Sequence, residues 1–179
     1  MNFNKLQISN NFPEETYVII EISCNSNPIK YEINKNNNLI FVDRFIPSPV
    51  FYPCNYGYIN NTLSLDGDPI DALVITPYPL NIGTIILCRP IGLLKTIDES
   101  GKDVKLIMVP SNKICNDYNN IIDINDISES LKSKITYFFE NYKKLELKKW
   151  TKICGWANKE EAKKEMIEAL NRLKHKNEN

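Results

Sequence analysis

The segment Asp66-Gly67-Asp68-Pro69-Ile70-Asp71 sets three carboxylates inside one turn and runs directly into the apolar stretch Ala72-Leu73-Val74-Ile75. Glycine tolerates positive φ, and proline fixes φ while removing an amide donor, so a sharp bend that gathers the aspartates is expected. Two ionised carboxylates about 5 Å apart repel by roughly 3 kcal/mol at an effective dielectric of about 20, and a third adds to the cost. Such a group either keeps a proton or shares a cation. The donors are all oxygen, with no histidine or thiol beside them, which selects a hard ion: Mg²⁺ ahead of Mn²⁺ or Ca²⁺. An acidic surface turn is the plainer reading of the same residues. An EF-hand is excluded, because Pro77 stands where the loop needs its bidentate glutamate.

A second acidic group, Asp98, Glu99 and Asp103 followed by Lys105, lies in a polar hairpin. If the fold brings this hairpin beside the first turn, Asp66, Asp68, Asp71, Asp98 and Asp103 surround one small volume. Two ions roughly 4 Å apart could then clamp the attacking and leaving oxygens of a phosphoryl displacement. An anionic substrate also needs positive charge and neutral donors. Lys30, Arg44, Lys105 and Lys143 are candidates, Arg44 because a guanidinium grips phosphate with two parallel bonds. The tyrosines of Phe51-Tyr52-Pro53-Cys54-Asn55-Tyr56-Gly57-Tyr58, together with Tyr142, could each donate a hydrogen bond without adding charge, although aromatic residues beside Pro and Gly more often serve packing.

The elements that must position these residues read as β first and α last. Strands are expected at Tyr17–Ser23, Ile29–Ile33, Leu39–Arg44, Ala72–Thr76, Thr84–Leu94 and Val104–Val109, separated by Asn, Pro, Gly and Asp turns. Within them Glu21 alternates with Val18, Ile20 and Ile22, and Lys30 shares a face with Glu32, which ordinarily marks a solvated outer face. Ile127, Leu131, Ile135 and Phe138 or Phe139 then recur at helical spacing, with Asp126 and Glu129 as the expected capping box. A second helix is expected from Lys159 to about Lys174, capped by Asn158 with Glu161 three residues on, and apolar at Ala162, Met166, Ala169 and Leu173.

The 179 residues fit one domain spanning the whole chain, large enough to bury about 70% of its unfolded surface. Lys plus Arg and Asp plus Glu number 22 each, so net charge offers no pull toward nucleic acid or an anionic membrane. Five cysteines without a C-x-x-C pair, and one histidine, His175, argue against zinc or a disulfide framework and for a reducing cytoplasm. The start of the chain has no signal-peptide core, and every apolar run is too short or too Pro-broken for a membrane span.

Taken together, these residues resemble the soluble, family I inorganic pyrophosphatases of bacteria. Asp66-Gly67-Asp68-Pro69-Ile70-Asp71 is similar to the family signature. So, in family order, are Pro28-Ile29-Lys30-Tyr31-Glu32, Val42-Asp43-Arg44, Phe51 to Ile59, Cys88-Arg89-Pro90-Ile91-Gly92, Asp103-Val104-Lys105 and Phe138 to Lys143. The resemblance implies an α+β, mainly β fold: a five-stranded, OB-like closed barrel with two flanking C-terminal helices. It implies Mg²⁺-dependent hydrolysis of pyrophosphate to two orthophosphates, and a homohexamer built from trimers. It further implies that Asp66, Asp71, Asp98 and Asp103 hold metal, and that Asp68 takes the proton of a water held between two metals. Lys30, Arg44, Tyr56 and Tyr142 would bind phosphoryl groups, with Glu21, Glu32, Tyr52, Lys105 and Lys143 in support. In Tyr137 and Asn141 the chain departs from some bacterial relatives, which carry histidine there. Two other readings stay open: an OB-fold binder of single-stranded nucleic acid, and a divalent-metal module without catalysis. The aspartates oppose the first, since unfilled they would repel a phosphate backbone.

Overall fold

The longest apolar runs build a ring. In the computed structural model, which describes residues 3–178, the strands are β1 (Thr16–Ile22), β2 (Ile29–Ile33), β3 (Ile40–Phe45), β4 (Asn55–Tyr58), β5 (Asp71–Val74), β6 (Ile85–Asp98), β7 (Gly101–Pro110) and β8 (Thr151–Asn158). Helix α1 (Glu129–Asn141) precedes β8, and α2 (Lys159–Glu178) follows it. Strand β1 pairs antiparallel with β4, β4 with β5, β7 with β6 and β6 with β1, while β5 and β7 run parallel. These pairings close a five-stranded barrel and leave none of its strands as an edge. The outer half of β6 carries β8 as a sixth strand, past a bulge between Pro90 and Gly92.

Two of the expected strands, β2 and β3, form a separate hairpin, and the ring takes β4 instead. Strand β4 is Asn-Tyr-Gly-Tyr, buried at all four positions, so it shows no alternation by which to find it. Glycine is needed at its centre: a Cβ on Gly57 would lie 1.9 Å from the Ile19 carbonyl oxygen of β1.

Strands β5 and β7 are continuous apolar runs because both faces are covered. Ala72, Val74, Leu106 and Met108 pack with Ala162, Met166 and Ala169 of α2. Leu73, Ile107 and Val109 pack with Ile135, Phe138 and Phe139 of α1. Burying each of those phenylalanines contributes about 1.5–3 kcal/mol. Helix α1 begins later than the sequence pattern suggests: Ser128 caps it, accepting from Leu131 N at 3.2 Å, while Asp126 closes a preceding 3-10 turn with Asp123. The cap of α2 is as expected, Asn158 Oδ1 accepting from Glu161 N at 3.0 Å, but the Glu161 carboxylate turns to Lys95. The helix also runs on to Glu178.

Candidate active site

The Asp66 turn folds as its sequence requires. Gly67 has φ +97°, Asp68 N donates to Asp66 Oδ1 at 3.1 Å, and Ser64 N donates to the Asp68 carbonyl at 2.7 Å. Buried Thr62 pins the neck of the loop, donating to Ile59 O at 2.6 Å and accepting from Ile70 N at 3.1 Å. Arg172 of α2 fastens the outer side through Leu63 O at 2.8 Å.

Beyond the turn, the parallel register of β5 and β7 sets Asp71 beside Lys105. The Lys105 ammonium, almost wholly buried, pairs with Asp71 and lies 2.6 Å from Asp103 Oδ2. Tyr56 donates to Asp71 at 2.5 Å. Burial raises the Asp103 carboxyl, with Lys105 pulling it back and Asp71 pushing it further, to about 6. Partial burial and then neighbouring Asp66 raise Asp68, against the pull of Lys35. The β6–β7 hairpin brings in Asp98, 2.7 Å from Lys143 Nζ. Burial pushes Asp98 up, but the Lys143 and Ser100 hydrogen bonds outweigh it and hold the carboxyl below the ordinary range.

The β2–β3 hairpin supplies the opposite wall. Lys30 and Arg44 are cross-strand partners, and Asp43 sits between them, 3.2 Å from Lys30 and 2.5 Å from Arg44. Lys30 also reaches Glu32 at 2.5 Å. Glu21, which the alternation assigns to a solvated face, is buried instead, because the hairpin lies over it. Its carboxylate accepts from Ile33 N at 2.8 Å and from Lys35 Nζ at 3.1 Å, and Lys35 sits 3.4 Å above the Tyr58 ring. Desolvation raises the Glu21 carboxyl, Lys35 opposing.

One cavity of about 400 Å³ is lined by Asp66, Asp68, Asp71, Asp98 and Asp103, by Lys30, Arg44, Lys105 and Lys143, and by Glu21, Glu32, Tyr56 and Tyr142. Tyr52 alone of the expected residues lies beneath it, buried with its ring 5.3 Å from Tyr56 and 4.4 Å from Phe138. Tyr142 ends α1 and stacks on Phe138 at 5.1 Å. Lys35, Glu99 and Lys149 also line the cavity. Glu99 comes from the second acidic group of the sequence, whereas sequence reading missed Lys35 and Lys149, and for Lys149 the nearest signal was its place in the lysine-rich run after Tyr142.

A closed, mainly β barrel whose mouth faces carboxylates with ammonium, guanidinium and phenol groups defines a site for a small, multiply charged anion. Residues 18–174 match the inorganic pyrophosphatase family. The chain is 59% identical over 174 residues to the inorganic pyrophosphatase of Buchnera aphidicola subsp. Acyrthosiphon pisum, covering 97% of this chain and 96% of that one. It superposes with a TM-score of 0.93 on the inorganic phosphatase of Anaplasma phagocytophilum, at 40% identity over 95% of this chain and 99% of the other. For the inorganic pyrophosphatase of Thermus thermophilus the TM-score is 0.91, at 38% identity over 97% and 99%. The chain belongs to the family I inorganic pyrophosphatases, in their bacterial form.

Proposed function

We propose that this mouth hydrolyses inorganic pyrophosphate to two orthophosphates with Mg²⁺, Asp68 acting as general base. The observation that carries the reading is one small cavity with five aspartates on its walls, facing Lys30, Arg44 and Lys143 with the phenols of Tyr56 and Tyr142 between them. Its volume, about 400 Å³, is at the small end of ligand sites and suits a compact polyanion.

The donor set fits a hard divalent cation, being all carboxylate at the proposed ligands Asp66, Asp71, Asp98 and Asp103. Among the described residues no three carboxylates are gathered around one point, and Lys105 stands where Asp71 and Asp103 meet. Lys105 already gives those two carboxylates one positive charge in common, which supports reading them as cation ligands. The metal would supply Lewis acidity and neutralise phosphate charge. Mn²⁺ is the expected substitute.

The protein's own groups do the rest. Asp68, with its carboxyl raised, takes the proton of the attacking water, a step that contributes about 10²–10⁴-fold. Lys30, Arg44, Tyr56 and Tyr142 hold the phosphoryl oxygens in line, and Lys105 and Lys143 offset the charge that builds on the leaving phosphate. Glu21 and Glu32 hold Lys35 and Lys30, and Tyr52 backs the Tyr56 ring.

We extend the proposal to assembly and setting. Ile40, Phe41, Val42 and Phe45 are exposed on β3, which among the described residues pairs with β2 alone, and such an apolar edge supports self-association of the hexameric kind the family resemblance implies. All five cysteines are free, in keeping with the cytoplasm, and no described helix is long and apolar enough to cross a membrane. The function is tested by phosphate release from pyrophosphate with Mg²⁺ and with EDTA, beside ATP. Mg²⁺-dependent release from pyrophosphate and little from ATP is expected. No release from folded protein with any divalent ion would overturn the reading and favour a non-catalytic metal module.

A further inference from the structure

Between α1 and β8 runs Tyr142-Lys143-Lys144-Leu145-Glu146-Leu147-Lys148-Lys149-Trp150, and its polarity is inverted. Leu145 and Leu147 are 65% and 94% exposed, while the Glu146 side chain between them is 11% exposed. Turning a carboxylate inward and two leucines outward is costly unless the carboxylate meets positive charge. It meets two cations. Oε2 lies 2.9 Å from Arg44 Nε and 3.2 Å from Lys149 Nζ, and both of those residues line the cavity. The contact with Arg44 is one of charge, without the alignment of a hydrogen bond, and Oε1 is buried without a hydrogen-bond partner among the described residues. Arg44 is held from its other side by Asp43, 2.5 Å from Nη1. The guanidinium is thus fixed between two carboxylates across the end of β3.

We infer that Glu146 is the positioning residue for Arg44 and Lys149: it clasps the segment after α1 to the β2–β3 hairpin and so sets the orientation in which the guanidinium meets substrate. The inference rests on the pyrophosphatase reading. Its reach exceeds one side chain, because the clasped segment carries Tyr142 and Lys143 while the hairpin carries Lys30. Glu146 therefore fixes the spacing between two sets of phosphate donors that no strand pairing links. A carboxylate that only drew on the Arg44 charge would have the opposite effect and weaken phosphate binding. The two differ in the sign of the change on removal.

The experiment compares wild type, Glu146→Gln, Glu146→Asp, Arg44→Lys and the Glu146→Gln/Arg44→Lys pair, with Leu147→Ala as a control in the same segment. It reads kcat and KM for Mg²⁺-pyrophosphate, the melting temperature, and calorimetric binding of methylenediphosphonate, which is not hydrolysed. Glu146→Gln is expected to raise KM and weaken the diphosphonate about 10-fold with kcat changed less than about 3-fold, since misplaced binding groups cost that order. Glu146→Asp should fall between, and Leu147→Ala should match wild type. In the Arg44→Lys background Glu146→Gln should add less than about 2-fold, the non-additivity of residues acting through one contact. A lowered or unchanged KM, or the same factor in both backgrounds, would overturn the clasp. Should Glu146→Gln melt below the assay temperature, Glu146→Asp in the two backgrounds reads the same coupling. If wild type fails to release phosphate, the functional reading falls, and the diphosphonate arm still decides for or against Glu146.

Discussion

The two walls of the cavity are built by different means. The acidic wall grows out of the closed ring: Asp71 and Asp103 stand on β5 and β7, whose backbones are paired on both sides, and Lys105 is locked between them. The cationic wall is appended. Lys30 and Arg44 stand on a hairpin that pairs with no barrel strand, and Tyr142 and Lys143 follow α1. Side chains hold that wall in place, Glu21 on Ile33 and Lys35, Glu146 on Arg44. Mutually repelling carboxylates need a rigid ladder to keep them together, whereas groups that grip a ligand tolerate an adjustable support. Damage to the strands that carry the first wall, or to the cation locked in it, should therefore appear as lost stability, loss of its reacting carboxylate as lost turnover, and damage to the second wall as weaker binding.

The largest effect is expected from Gly57→Ala, whose methyl would collide with the Ile19 carbonyl and open the β1–β4 pairing. Thermal melting should show no folded protein or a loss above about 4 kcal/mol. A wild-type melt would mean that the closed ring is not what secures the acidic wall. Lys105→Met should cost about 3–5 kcal/mol in urea titration, because it leaves Asp71 and Asp103 without their buried cation. Added Mg²⁺ should recover part of that loss if the same carboxylates take metal. Glu21→Gln keeps an acceptor for Ile33 N but loses the charge on Lys35. About 1 kcal/mol of stability and a raised KM are expected, since the hairpin it anchors carries Lys30; unchanged binding would separate the hairpin from the cationic wall.

The smallest effect should come from outside both walls, at Glu15. The hydrogen bonds it accepts from Lys113 and Ser111 hold the carboxyl below the ordinary glutamate range. A depressed carboxyl stabilises the fold at neutral pH and loses that contribution as pH falls through the folded value. Glu15→Gln should flatten the acid side of the stability curve and leave pyrophosphate kinetics alone at pH 7.

The difference between the walls also explains what could be read from the sequence. Asp66 to Asp71 announced itself, because its glycine, proline and carboxylates act within six consecutive residues. The runs of β5 and β7 were equally visible, being apolar on both faces. Strand β4 was hidden by full burial of two tyrosines around a glycine. Strand β8 was hidden because a register shift opposite Lys95 and Thr96 breaks the alternation around Cys154 and Gly155. Glu21 read as solvated, since its cover comes from a hairpin twelve residues further on, Glu21 to Ile33. Glu146 gave no signal at all: a glutamate between two leucines in a lysine-rich turn reads as a surface residue, and only the fold puts Arg44 beneath it.

The most direct test of the division between the acidic wall, where the proton is taken, and the cationic wall, where substrate is held, is the kinetics of Asp68→Asn, measured with its melting curve. The Asp68 backbone, rather than its carboxyl, holds the turn, so the fold should survive. The kcat is expected to fall by about two orders of magnitude or more, with KM changed less than about 3-fold. A well-folded variant with wild-type kcat, or one changed in KM alone, would contradict it.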